Sequence, residues 1–589
     1  MPLSAPTRAP YRGTTRKLVL AFDIGTTFSG ISYSVLDPGQ VPEIKGVTRY
    51  PLQGNVRGAS KVPTVVYYDP NGKVCAAGAE ATRDGIELDA QEGKWFEAKW
   101  FKLHLRSDAT SGNDTTYEIP PLPPNKTVVQ VIADFLKYLF NSASQYIQET
   151  HLNGPVLWAS VEHKIDFVLS HPNGWGGKEQ KDMRRAAVLA GLIADDAGGH
   201  ARISFVTEGE ASLHFAIQAG ILSQARKGEG VVIVDAGGGT IDVSAYRQDP
   251  DKQGQVFEEV AASQCLLHGS IFVNINAKKI LNEFLKDSPY VEDVEHIIRC
   301  FDQTTKLRFR DDRSPQYIKF GSTRDNDDKF NIRLGQLKLE GTDVAGFFRD
   351  SVTAVLQSVL TQRSTSRNKI VHVVFVGGFA ASDWLFNSAS TVLMRTDPSL
   401  KVFRPEEQAN KAVADGAISF YLDHFVQTRM SKFTCGVICR VPYDEKDSEH
   451  QKRVATKHTC PLTGETRLPD MFSVILSKNT QVSETKEFRA RYYQVSANRS
   501  DFQIFSSSVW CYRGSLEQPK WRDQDKSNFS RLCSIAVDLS HLEFSPKTGR
   551  TGKTYYQIDY EVILLFGLTE LKAQIAWQED VGRFHLCII

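Results

Sequence analysis

Two short glycine–threonine turns constrain this chain more than any other feature. Leu18–Phe22 is an apolar run ending in Asp23-Ile24-Gly25-Thr26-Thr27, and Val231–Val234 is another ending in Asp235-Ala236-Gly237-Gly238-Gly239-Thr240. A second strand-like stretch follows each turn, Phe28–Val35 and Ile241–Tyr246. Each turn therefore reads as the tip of a β-hairpin. A Walker loop or a dinucleotide fingerprint needs a helix N-terminus directly after its glycines, and neither follows here. The repetition is a faint internal duplication, and two such turns from related halves can close on one ligand from opposite sides.

The ligand these residues suit is a triphosphate. Phosphate binding needs backbone N–H groups that approach oxygen closely, which Gly25, Gly237, Gly238 and Gly239 permit. Thr26, Thr27 and Thr240 add hydroxyl donors. Asp23 and Asp235 sit at the two strand ends, beside the phosphates. Carboxylates there suit Mg2+, which keeps several waters and takes few protein ligands. Asp242, on the second hairpin, is placed to hold a metal-bound water.

Two more apolar runs, Ile165–Leu169 and Val371–Val376, read as buried parallel strands. Helix-length segments stand between the runs: Val128–Gln148, Glu179–Ala190, Ser270–Leu285 and Gln408–Leu422. That alternation predicts an α/β fold. After about residue 428 the texture changes. In Tyr556–Phe566 the apolar residues Tyr556, Ile558, Tyr560, Val562, Leu564 and Phe566 alternate with Gln557, Asp559 and Glu561, and Leu571–Trp577 repeats the period of two. Residues 429–589 are read as a small β-rich domain, with Asp444–Arg453 as an exposed loop.

Composition closes off other classes. Lys plus Arg is 70 against 69 for Asp plus Glu, and no long basic run occurs, so no nucleic-acid partner is expected. No apolar run approaches the roughly 18 residues of a membrane span. Residues 1–16 are rich in Pro, Arg and Thr without an apolar core and read as a disordered arm. The nine Cys are scattered and odd in number, which fits free thiols and a cytoplasmic location. Cys435, Cys439 and Cys460 lack a fourth ligand at a zinc-motif spacing.

The motifs also carry a resemblance. Val19-Leu-Ala-Phe-Asp-Ile-Gly-Thr-Thr-Phe-Ser resembles the first phosphate motif of the heat-shock-70 family, and Val232-Ile-Val-Asp-Ala-Gly-Gly-Gly-Thr-Ile-Asp-Val-Ser its second. Val373-Val-Phe-Val-Gly-Gly-Phe resembles the adenosine motif, and Ala412-Val-Ala-Asp-Gly-Ala the helix after it. The similarity runs in order over about residues 17–425. It is greatest to the family's atypical twelve-type branch, which Leu468–Thr480 and Leu565–Trp577 also resemble, more weakly.

The resemblance implies a two-lobed actin-like ATPase over 17–428, with duplicated ribonuclease-H-like lobes at about 17–227 and 228–428. An insertion at about 270–370 and a divergent C-terminal domain complete it. It implies ATP or ADP with Mg2+ as the bound group, held near Asp23 and Asp235 through water, and slow ATP hydrolysis. Glu208, in Thr207-Glu208, would face the attacking water, with Asp235 and Thr240 ordering the water and metal shell. Phe96-Glu97-Ala98-Lys99 matches the family's lysine element, so Lys99 is favoured as the catalytic lysine. Lys102, one helical turn on, is the alternative. Gly377, Gly378 and Gly416 would approach the nucleotide, Gly269 its ribose side, and Lys306 remains of the family's base-side clamp.

The chain departs from the family where a Ser/Thr and a base-stacking Arg are usual, carrying Phe379, Ala380 and Ala381 instead. The Asp-Leu-rich apolar linker, an amphipathic lid helix after Tyr555 and the acidic C-terminal tetrapeptide are not found. A lidded peptide chaperone is therefore not expected, although the C-terminal domain can bind a protein client or partner through its sheet edges. Two rivals share the fold: a non-catalytic nucleotide-sensing scaffold and a small-molecule kinase.

Overall fold

The computed structural model describes residues 8–51, 60–106, 119–223, 225–252, 254–405, 411–567, 569–578 and 584–588. The chain divides into two compact units, Met1–Trp175 with Glu179–Val426, and Gly176–Lys178 with Gln427–Ile589. The fold is mixed α/β, with several sheets.

In the first unit the apolar runs are central strands. β1 (Lys17–Asp23) turns through the first glycine loop into antiparallel β2 (Phe28–Leu36), which continues to β3 (Lys45–Gly46). A two-residue strand, β4 (Val62–Pro63), adds to the start of β2. On its other side β1 runs parallel to β5 (Ile165–His171), and β5 to β6 (Ile203–Thr207). The second half repeats this order. β7 (Gly230–Ala236) turns into antiparallel β8 (Ile241–Gln248), which pairs with β9 (Phe257–Leu266). β7 runs parallel to β10 (Ile370–Val376), and β10 to β11 (Lys401–Phe403). In both halves the order is third, second, first, fourth, fifth, so the duplication legible in the turns extends through the sheets. All seven residues of β7 are buried, as expected of a strand covered on both faces.

Helices cover these sheets. They are α1 (Val128–Thr150), α2 (Gly177–Leu189), α3 (Glu208–Gln218), α4 (Ser270–Phe284), α5 (Gly341–Thr365) and α6 (Ala412–Asp423). Thr127 and Gln130 close a capping box at the start of α1, whose Val131, Phe135 and Leu139 enter the core of the first sheet. The expected helix start at Gln408 and residues 1–7 of the arm lie outside the described residues. Among the described residues no helix is long and apolar enough to cross a membrane.

The arm is ordered from residue 8, against expectation. Tyr11 N donates to Gln40 O at 2.8 Å, and Gly39 N to Tyr11 O at 2.9 Å. Arg8 forms a two-pronged pair with Asp423 at the end of α6, with contacts of 3.0 and 3.2 Å. Asp423 also accepts from Gln218 and Ser419, at 2.9 and 2.7 Å. A carboxylate this buried requires such partners, which explains why an arm of low hydrophobicity is tied down.

The second unit is a β-sandwich. One sheet orders His458–Thr459, β13 (Thr466–Leu476), β12 (Thr434–Pro442), β15 (Ile504–Tyr512) and β16 (Phe529–Asp538). The other orders β14 (Glu487–Ser496), β17 (Thr554–Gly567), β18 (Glu570–Gln578) and β19 (Phe584–Ile588). Val437, Phe505, Val509 and Ile535 from the first share one core with Val562, Leu564 and Ile575 from the second. The expected loop at Asp444–Arg453 instead contains a short helix, Ser448–Lys452, capped by Asp447 and burying His450.

Candidate functional site

The duplicated topology brings the two glycine turns into contact. A Cβ on Gly238 would lie 2.3 Å from Thr27 Oγ1, and one on Gly239 would lie 2.3 Å from Thr26 Oγ1. Gly25 closes the first turn: a Cβ there would meet Phe28 O at 2.2 Å. The second turn is held from behind by the start of α4. Gly269 N, Ser270 N and Ile271 N donate to the carbonyls of Gly239, Gly237 and Gly238 at 3.3, 3.1 and 3.0 Å. Gly269 is therefore the residue preceding α4, seated on the glycine triplet.

Around the turns lie four buried carboxylates, Asp23, Glu208, Asp235 and Asp242. Asp23 ends β1 and accepts from Lys61 Nζ at 2.7 Å and from Ser170 Oγ at 3.3 Å. Asp235, the penultimate residue of β7, accepts from Ser212 Oγ of α3 at 2.7 Å. Asp242 stands opposite Asp235 in the β7–β8 register and accepts from Asn173 N at 2.6 Å. Among the described residues its other oxygen has no hydrogen-bond partner, and it is buried. Glu208 opens α3, where Thr207 caps the helix by accepting from Glu210 N, and it pairs with Lys102 Nζ at 2.6 Å.

Burial dominates the electrostatics. It pushes Asp235 from its ordinary 3.8 up to about 7, with Asp242 and Asp23 adding to the push against the pull of Ser212 and Lys61. Asp242 is also raised by burial, against donation from Thr240 and Asn173. Burial raises Glu208 against the counter-pull of Lys102, and Lys102 is held charged by Glu208 despite its own burial. When all are ionised, four carboxylates face two ammonium groups, Lys61 and Lys102. The excess negative charge and the unpartnered Asp242 oxygen fit a hydrated divalent cation. Among the described residues no cluster of three or more His, Cys, Asp or Glu would hold an ion directly, so water would have to complete its shell.

The lysine expectation requires correction. Lys99 ends a strand, Phe96–Lys99, and pairs at 2.7 Å with Glu97, its side chain 42% exposed. Lys102 lies in the following 3-10 turn, Phe101–Leu105, with its side chain 5% exposed and its ammonium 5.5 Å from the Trp175 ring centre. The two lysines do not share a helix face. Trp100 between them is left-handed, with φ 54°, and turns the chain between the two elements.

Gly416 also departs from expectation. A Cβ on it would lie 1.8 Å from Ala211 O, so this glycine lets α6 cross α3 closely and is a packing residue. Gly416→Ala is expected to cost about 3 kcal/mol of unfolding free energy by overpacking, measured by denaturant melts. Gly377 is at the site: its φ is +90°, and a Cβ would meet Asp235 Oδ1 at 2.4 Å. Gly378 leads into the 3-10 turn Phe379–Ala381, where Phe379 and Ala380 are buried. The guanidinium reaching this turn is that of Arg404, which donates to the Ala380 and Ala381 carbonyls at 3.1 and 3.2 Å. Lys306 follows a π-helical turn, Phe301–Thr305, and donates to Ser270 O at 2.9 Å, Asn274 Oδ1 at 3.1 Å and Asp302 Oδ1 at 2.7 Å. It braces the first turn of α4. The residues sequence reasoning missed are Lys61, Asn173 and Ser212, none of which sits in a recognisable motif.

No protein-family model matches the chain. Heat shock 70 kDa protein 12A of Mus musculus is similar to it, 23% identical over 505 residues, which cover 71% of this chain and 72% of the relative. The protein of the same name from Homo sapiens gives the same identity and coverage. Heat shock 70 kDa protein 12B of Homo sapiens is 28% identical over 192 residues, 32% of this chain and 26% of the relative.

Proposed function

We propose that this chain, as a relative of heat shock 70 kDa protein 12A, binds ATP with Mg2+ in a two-lobed actin-like domain over residues 17–428 and hydrolyses it slowly. The observation that carries this reading is the meeting of two Gly/Thr turns over four buried carboxylates and two buried or half-buried lysines. In this reading Thr26, Thr27 and the Gly237–Gly239 amides hold phosphate oxygens. Asp23 and Asp235 hold Mg2+ through water, and the ion supplies charge neutralisation at the phosphates. Glu208, fixed by Lys102 and the start of α3, orients the attacking water, with Asp242 and Thr240 ordering the shell around it. The β-sandwich offers a partner surface along its sheet edges.

A second reading, a nucleotide sensor without turnover, is favoured by the altered adenosine-side turn, where Phe379 is buried and Arg404 is engaged by Ala380 and Ala381. Calorimetry separates the clamp from its absence. Wild type should bind ATP in a Mg2+-dependent way, and Gly238→Val, which drives a side chain into Thr27, should weaken binding by at least about tenfold. Unchanged affinity in that variant would misplace the clamp, and binding without turnover would select the sensor. Phosphorylated product in a metabolite screen would select the kinase.

A further inference from the structure

Lys61 belongs to no motif, yet the fold delivers it to the first phosphate turn. It immediately precedes β4, whose Val62 and Pro63 pair with Ser29 and Phe28 at the start of β2. Thr64 N then donates to Thr27 O at 2.9 Å, and Thr64 Oγ1 lies 2.8 Å from Ser29 Oγ. The segment is thus fastened to the turn at three successive residues. The lysine stem runs past Gly30, where a Cβ would be in ordinary van der Waals contact with Lys61 Cγ and Cε at 3.6 Å. The ammonium ends 2.7 Å from Asp23 Oδ2, with Asp23 itself 3% exposed.

A fixed cation on this carboxylate competes with any mobile one. Asp23 is one of the two carboxylates read above as holding the metal through water, and Lys61 already neutralises it. We propose that Lys61 is a built-in counter-charge of the phosphate site, which weakens binding of free Mg2+ to the empty protein and strengthens binding of nucleotide without metal. The inference rests on the nucleotide reading for its second half only. The first half concerns the carboxylates alone. A lysine that merely pinned β4 to β1 would act differently, since its loss would loosen the turn and weaken both kinds of binding together.

Two variants separate these roles. Lys61→Met keeps the stem and removes the charge, and Lys61→Arg keeps the charge. Calorimetry on the metal-free protein titrated with MgCl2 should show about tenfold tighter binding in Lys61→Met, because Asp23 loses its competitor. Titration of ATP in EDTA should show about tenfold weaker binding in the same variant, because nucleotide charge then meets an uncompensated carboxylate. Lys61→Arg should stay within about threefold of wild type in both. Circular dichroism and thermal melts establish that each variant is folded, and if Lys61→Met is not, Lys61→Gln repeats both titrations. Opposite shifts in the two titrations support the counter-charge. Parallel shifts, or none, overturn it. If wild type binds no ATP with or without metal, the nucleotide reading fails, and the Mg2+ titration still decides whether Lys61 competes for Asp23.

Discussion

Asp235→Asn is expected to make the empty protein more stable while weakening ATP–Mg2+ binding by about a hundredfold or more. The two effects have one cause. Asp235 is buried at the end of β7, with Ser212 donating to one oxygen and Gly377 leaving space beside the other. Burial, with Asp242 and Asp23, raises its carboxyl from 3.8 to about 7. A carboxyl raised on folding costs nothing below the unfolded value, where both states hold the proton. The cost grows as pH rises from about 4 to about 7, because the unfolded chain ionises first, and it is complete above that window. Asparagine keeps the acceptor for Ser212 and never charges. Melts of the metal-free protein should therefore show wild type losing stability between pH 4 and 7, and Asp235→Asn losing about 4 kcal/mol less. Metal binding near pH 6 should release protons in wild type, seen as buffer-dependent heat in calorimetry. A variant that is less stable than wild type at pH 8, or that binds ATP–Mg2+ equally well, would remove Asp235 from this role.

Lys102→Met is expected to lower ATP turnover by about a hundredfold, whereas Lys99→Ala should leave it within about twofold. Lys102 holds Glu208 at 2.6 Å in a closed environment, and its loss leaves a buried carboxyl facing Asp23, Asp235 and Asp242. Such a carboxyl takes a proton and no longer accepts one from water. Lys102→Arg should not restore the rate, since a planar fork does not fill the place of a compact ammonium beside Trp175. Lys99 forms an exposed pair with Glu97, of the kind that contributes at most about 1 kcal/mol. Turnover and ATP affinity measured on the three variants decide the matter: a greater loss in Lys99→Ala than in Lys102→Met would reverse the assignment. If wild type shows no turnover, ATP affinity is the remaining readout.

What was legible in the sequence follows from range. Asp23, Asp235 and Asp242 are legible as candidates because each lies within a few residues of its own glycine turn, so strand, turn and carboxylate are one local signal. The central strands of both halves were found because strands buried on both faces are continuous apolar runs. Lys61 was not found because it reaches Asp23 across 38 residues, through a two-residue strand too short to show a period. Lys99 is favoured by its place in Phe96-Glu97-Ala98-Lys99, with Lys102 as an alternative one helical turn on, and the left-handed tryptophan that separates the two leaves no mark in a hydrophobic pattern. Gly416 is tied to the ligand by the resemblance of Ala412-Val-Ala-Asp-Gly-Ala to the family's helix. A glycine needed for close helix crossing looks in sequence like one needed for a turn, and only the Ala211 carbonyl beneath it distinguishes them. The order of the arm from residue 8 is not legible in the sequence because one buried ion pair, Arg8 with Asp423, does what composition cannot indicate.

The seating of α4 on the glycine triplet has a kinetic consequence. Three successive helix-end amides are engaged by the carbonyls of Gly237, Gly238 and Gly239, which fixes the peptide planes of the most flexible stretch a chain can have. Free glycine loops must be wound by their ligand at each encounter, and that ordering opposes association. Here the winding is already done by the body of the protein. In the proposed phosphate site an arriving anion would meet a template, and its capture would leave little to the rearrangement of the loop itself.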